Sequence, residues 1–223
     1  MRVFTVNEKK VQAALSMPRD LPDNGYVWIA CSRTYFESEK NLVQQTLQSL
    51  TGHHLLDLHL SDLLNGQLPS RFDLTSYYDV LVFRRLASAT RESEPINSRV
   101  GQMQKGKLSG PPALRRVDTS PIGFAVFDKV LLTIHPDDCV IRDAYAARLL
   151  AASGQAQGLS AQTDATDNRS TGARGIPVSP ADMMLRMVSQ VVDVYLDLRR
   201  DLTKQLDHWQ AELINPDTRF NNW

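Results

Sequence analysis

The sequence predicts an α/β (α+β) fold: a mixed parallel and antiparallel sheet sandwiched between helices, followed by one long protruding helix. Three observations carry this expectation. Apolar runs of strand length alternate with stretches of helical period, some strands in hairpin pairs and others separated by helices. Tyr26-Val27-Trp28-Ile29-Ala30-Cys31 is apolar almost throughout, the pattern of a strand buried on both faces. After Pro180 no glycine or proline intervenes until Asn215-Pro216, while apolar residues recur at steps of three and four.

Taken in order, Val3 to Val6 reads as a short strand, followed by a helical stretch ending near Met17-Pro18. Pro18, Pro22 and Asn24-Gly25 mark a turn-rich connection into the apolar Tyr26–Cys31 strand. Phe36, Leu42, Val43, Leu47 and Leu50 space a helix that stops at Gly52, a residue suited to the left-handed helix end. A shorter helix spans Leu58 to Asn65. Two strands follow, Arg71 to Thr75 and Tyr77 to Leu86. Ile122 to Phe127 and Val130 to Ile134 then form a hairpin around Asp128-Lys129. Val140 to Ala152 is a helix with a small-residue face.

Two stretches interrupt the pattern. Residues 87–120 hold six basic and three acidic residues with Pro111-Pro112 and few large apolar groups, and read as a solvated surface excursion. Residues 153–176 are rich in Ser, Gln, Thr, Gly and Ala, with too little apolar surface to offset the entropy of ordering, and read as a linker. The expected organisation is an α/β/α domain over 1–153 carrying the insert 87–120, a linker over 154–177, and a long helix with the start of another over 178–223.

Composition narrows the function. Among 223 residues, 25 basic side chains balance 25 acidic ones, so no global attraction to nucleic acid is expected. Two cysteines in no metal-ligand spacing exclude a disulfide framework or a Cys-based zinc module. No apolar run reaches the length of about 18 residues that reads as a membrane span. A glycine-rich dinucleotide loop, a P-loop and a nucleophile-elbow motif are all missing from the sequence, and it is not read as an enzyme.

Ser179-Pro180-Ala181-Asp182 is a strong helix start, with Ser179 capping, Pro180 at the first helical position and Asp182 placed for the return hydrogen bond. The seam then runs through Met184, Val188, Val191, Tyr195, Leu198, Leu202, Leu206, Trp209 and Leu213. About 35 residues at ~1.5 Å each make a rod of roughly 50 Å. A compact domain of this mass has a radius of gyration of only ~17 Å, so the rod should protrude and seek another helical surface. Asn215-Pro216 resembles the opening of a further helix, which leads to the expectation that the natural protein continues.

The densest polar constellation is His53, His54, Asp57, His59, Ser61 and Asp62. Imidazoles with carboxylates suit transition metals, and carboxylates with water suit magnesium, although no zinc-type histidine spacing is present. A capped, solvated helix end is the simpler reading, and a small metal-dependent hydrolase using His53, His54 or His59 is the remote one. Asp193, Asp197 and Asp201 form an acidic row at steps of four. Arg200 and Lys204 would neutralise it locally; a hard cation shared with a neighbouring subunit is the other reading.

Three segments in this order resemble the CorA family of divalent-cation transport proteins. They are Leu58-His59-Leu60-Ser61-Asp62-Leu63-Leu64-Asn65 running through Arg71, Asp73 and Tyr78 into Val80–Phe83; Phe127 to His135; and Val192-Asp193-Val194-Tyr195. The resemblance implies a cytoplasmic α/β/α domain feeding a helical finger, then a stalk and two membrane helices of a homopentamer. It implies divalent cations as partners, Mg²⁺ with Co²⁺ or Zn²⁺ as alternatives. Acidic residues at subunit interfaces would sense them. By position Asp62 matches the second acid of the family's Glu-Asp pair, with Ser61 in place of the first, and Asp193 matches an acidic position on the finger. Asp57 and Asp197 complete the candidate metal-ligand set. The implied function is the metal-sensing cytoplasmic domain of a CorA-like magnesium/cobalt transporter in a bacterial inner membrane. A ZntB-type zinc transporter domain and a soluble coiled-coil adaptor are the alternatives.

Overall fold

A computed structural model of the chain describes residues 1–7, 10–14, 16–87, 118–137, 140–155 and 175–214. Seven strands, β1 (Arg2–Val6), β2 (Val11–Ala14), β3 (Tyr26–Ser32), β4 (Arg71–Leu74), β5 (Asp79–Leu86), β6 (Thr119–Val126) and β7 (Val130–His135), form one sheet in the order β2-β1-β3-β7-β6-β5-β4. Among the described residues five helices accompany it: α1 (Arg33–Ser38), α2 (Lys40–Thr51), α3 (Asp57–Leu64), α4 (Val140–Gln155) and α5 (Pro180–Ile214). β3 and β7 run parallel at the centre, and every other pairing is antiparallel. The mixed sheet between helices is the predicted architecture.

Alternation along β3 explains why its apolar run is continuous. Val27, Ile29 and Cys31 point into one core with Phe36, Val43, Leu47, Leu60 and Leu63 from α1, α2 and α3. Tyr26, Trp28 and Ala30 point into the other with Tyr145 and Leu149 from α4 and Met183, Met187 and Val191 from α5. A strand sandwiched this way can have no polar face, and each large side chain so buried contributes about 1.5–3 kcal/mol. One polar cluster enters the second core: Trp28 Nε1 donates to Thr133 Oγ1 at 2.9 Å, and His135 Nε2 lies 2.7 Å from the same oxygen.

The structure corrects two element assignments. The segment before Met17-Pro18 is not helical: Val11–Ala14 is the edge strand β2, paired antiparallel with β1 from Val6↔Val11 to Val3↔Ala14. Its backbone is held from α4, where the Ser153 hydroxyl accepts from Val11 N at 3.0 Å and donates to Val11 O at 3.4 Å. Partners distant in sequence outweigh local helix propensity here. The single helix expected before Gly52 is two, α1 and α2, broken at Glu39 with φ −110° and ψ 26°. Gly52 ends α2 with φ 77°, as its position suggested.

α5 begins as expected. Ser179 Oγ accepts from Asp182 N at 3.1 Å, while the Asp182 carboxylate accepts from Val178 N, one residue before the cap, at 3.1 Å and from Arg186 Nε and Nη2, each at 2.9 Å. Its first turns lie on the sheet through Met183, Met187 and Val191, with the predicted Met184, Val188 and Tyr195 flanking them. Farther along, Leu198 and Leu202 are half-buried and Leu206 is 60% exposed. The seam is therefore divided: its first half belongs to the sheet, including Tyr195. Most of the insert, most of the linker and the start of a further helix lie outside the described residues. Thr119 and Ser120, assigned to the insert from sequence, are the first residues of β6 and face Leu86 and Arg85 of β5.

Candidate functional site at the α3–β4 edge

α3 lies on the core through Leu60 and Leu63, which turns His59 and Asp62 inward beside them. Its other polar residues, Asp57 and Ser61, face solvent. β4 is the outer strand of the sheet, and strand alternation sets Arg71 and Asp73 on one side of it. The two elements meet through charge. Arg71 Nη1 is 3.1 Å from Asp62 Oδ2, and Arg71 Nη2 donates to Asp73 Oδ2. His59 Nε2 approaches the same Asp73 oxygen at 3.8 Å.

The chain of contacts continues inward. His59 Nδ1 lies 2.9 Å from the Tyr78 hydroxyl, which also accepts from Leu56 N at 2.9 Å. The phenol oxygen keeps a second lone pair besides its hydrogen, so the direction of the Tyr78–His59 hydrogen bond follows the imidazole tautomer. Burial raises the Tyr78 phenol above its ordinary range, against a smaller opposing effect of the Leu56 hydrogen bond. Asp62 is largely enclosed, with its side chain 12% exposed, so its charge needs a partner and Arg71 is that partner.

The other predicted residues are not brought here. Asp193 and Asp197 lie on α5, which covers the opposite face of the sheet, so no single copy can unite them with Asp62. Asp197 pairs with Arg200 at 2.9 Å and Asp201 with Lys204 at 3.9 Å, both in the open. His54 Nδ1 meets Gln48 Oε1 at 3.2 Å, and His53 stacks on Tyr77 with ring centroids 4.0 Å apart. The latter pair borders an open cleft of about 480 Å³ that also includes Asp79, Asp128 and Lys129. The histidine-rich constellation is thus split between an inward pair and an outward set. Among the described residues no three His, Cys, Asp or Glu side chains gather into a group able to hold a metal ion. A divalent cation such as Mg²⁺ takes about six oxygen ligands, and the donors that meet among the described residues do not fit it. Reading residues singly missed the bridging role of Arg71; its two-residue spacing from Asp73 on a strand was the available signal.

No sequence-family model and no curated protein sequence matches the chain. Solved structures do. The full-length CmaX protein superposes with a TM-score of 0.61 at 13% identity, covering 100% of this chain and 54% of that one. The CorA magnesium transporter from Methanocaldococcus jannaschii gives 0.55 at 12% identity, covering 98% and 53%. The fold is that of the CorA soluble domain. The ZntB cytoplasmic domain from Vibrio parahaemolyticus RIMD 2210633 shares it, with a TM-score of 0.52 at 11% identity over 92% of this chain and 64% of that one. The chain spans between about half and two thirds of the length of these proteins. Among the described residues no helix is long and apolar enough to cross a membrane.

Proposed function

We propose that this chain is the cytoplasmic portion of a CorA-type divalent-cation transporter, working as a homo-oligomer, a pentamer in the full-length protein, with its membrane helices supplied outside these residues. The observation that supports this reading is the extent of the fold match. It covers 100% of this chain against the full-length CmaX structure and 98% against the CorA structure. The domain's role is regulatory rather than enzymatic. α5, fixed to the sheet over its first turns and free of it beyond, is the element through which a change in the domain reaches whatever follows.

The cation is Mg²⁺, with Co²⁺ the companion ion of this reading. Zinc is the alternative favoured by the similarity to a ZntB cytoplasmic domain. Carboxylates from neighbouring copies have to complete any sensing site. Asp193, exposed on α5, is the first candidate, with Asp197 and Asp57, likewise exposed, after it. The test is flux. The full reading frame, reconstituted in vesicles loaded with a fluorescent indicator, should pass Mg²⁺, Co²⁺ or Zn²⁺. A preparation that passes none of the three overturns the reading.

A further inference from the structure

We infer that Arg71 is the resident cation of the Asp62 site, and that this site is neutralised by the chain itself and takes no divalent ion. The inference rests on the CorA-type reading only for the expectation that a cation belongs there. Its evidence is local. Arg71 bridges two carboxylates with the two arms of its guanidinium, Nη1 to Asp62 at 3.1 Å and Nη2 to Asp73.

Three physical features separate this arrangement from a metal site. The donor set is too small, because two carboxylates and an imidazole meet where a hard cation needs about six oxygens, and an imidazole is not a magnesium ligand of choice. The position is also occupied. A divalent ion on Asp62 Oδ2 would sit within a few ångströms of the positively charged Arg71 guanidinium and be repelled by it. Finally, the geometry is held from both sides. Arg71 is fixed by its place in β4 opposite Val82 of β5, and Asp62 by α3 packed on the core through Leu60 and Leu63. His59 Nε2 stands 3.8 Å from the Asp73 carboxylate, beyond hydrogen-bond distance. An exposed surface pair would fluctuate and be screened; this one has a carboxylate largely out of water, which couples α3 to the sheet edge without any ion from solution.

The prediction is separable from transport because it is read on the 223-residue chain by thermal melting. A genuine Mg²⁺ site of about 0.1 mM affinity would raise the midpoint of a domain this size by roughly 5–10 °C at 10 mM Mg²⁺. At matched ionic strength we expect no midpoint shift attributable to Asp62: Mg²⁺ or Co²⁺ at 10 mM should affect wild type and Asp62→Asn equally. Asp62→Asn and Arg71→Gln should each lower the midpoint by about 2–4 °C in the absence of metal. The double variant should lose no more than the worse single one, as expected for partners in one interaction. Arg71→Lys, which keeps the charge but not the fork, should fall between wild type and Arg71→Gln. A metal-induced rise in wild type that Asp62→Asn abolishes would overturn the inference, and so would additive losses in the double variant.

Discussion

Tyr195 of α5 donates a hydrogen bond from its phenolic hydroxyl to the main-chain carbonyl of Arg84 on β5, at 3.0 Å. The pairing has a specific cause. β4 begins at Arg71, opposite Val82, so at Arg84 that edge of β5 has run past its neighbouring strand. The Arg84 N–H is met by Ser70 Oγ at 3.0 Å, and the carbonyl by Tyr195. The long helix therefore completes the sheet's hydrogen bonding at the point where it leaves the sheet.

Replacing Tyr195 by Phe keeps the ring and removes only the donor. The expected loss is about 1 kcal/mol, rising toward 3 if the Arg84 carbonyl stays shielded from water. Urea denaturation measures it, and amide exchange should quicken in α5 beyond residue 195. Unchanged exchange there would show that the bond does not anchor the helix.

His135 gives the protein a defined acid sensitivity. Burial, reinforced by Arg142, Arg85 and Arg33 and opposed only by Asp143, lowers its pKa to about 3. The unfolded chain protonates this imidazole near pH 6.5, whereas the folded chain does not until about pH 3, so the unfolded state binds the extra proton between them. Stability should fall as pH drops through this window, by up to about 1.4 kcal/mol per pH unit. Asp143 and Asp182 both titrate below the ordinary carboxylate range. Arg142's hydrogen bond depresses the first, while for the second the Arg186 hydrogen bond and its companions outweigh the upward push of burial. The interval from pH 6.5 to 5 is thus the one to examine, and His135→Gln should flatten the slope there.

Gly25 carries a turn that no other residue fits. Its φ is 123°, and an added Cβ would come within 2.1 Å of Val6 O and 2.3 Å of Asn7 Oδ1. Both strain and backbone collision oppose Gly25→Ala, which should destabilise the chain by more than about 1 kcal/mol. Chemical denaturation with an unchanged midpoint would contradict the tight β1–β3 connection.

Ser153→Ala should loosen the sheet's other edge. The hydroxyl serves both the N–H and the carbonyl of Val11, so its removal leaves two backbone groups of β2 without that partner. A cost of about 1–3 kcal/mol is expected. Because β2 is an edge strand of four residues, the loss should appear first as local exchange at 11–14 rather than as global unfolding.

Much of this architecture was legible because local pattern and burial coincide. The apolar run of β3, the Asp128-Lys129 hairpin, the Gly52 stop and the Ser179 cap each follow from residues within a few positions of one another. Val11–Ala14 was not legible: four residues with one buried valine carry no strand signal until β1 and Ser153 are beside them. The division of the α5 seam was hidden too, since Val188, Tyr195 and Leu206 obey one periodicity whether sheet or solvent lies opposite.

The candidate site divides the same way. His59 and Asp62 stood out as titratable residues on one short helix. Nothing in their spacing said that both turn inward, or that Asp62 and Asp193 end on opposite faces of a sheet.

Most of the helices and strands, the start of the long helix and the mixed sheet between helical layers follow from local pattern, β2 and the α1–α2 break excepted. Periodicity and capping are properties of neighbouring residues, which is why they can be read directly. Which charge faces Asp62 was settled by tertiary packing, because the ion pair depends on how an eight-residue helix and a four-residue strand, neither stable alone, come together in the fold.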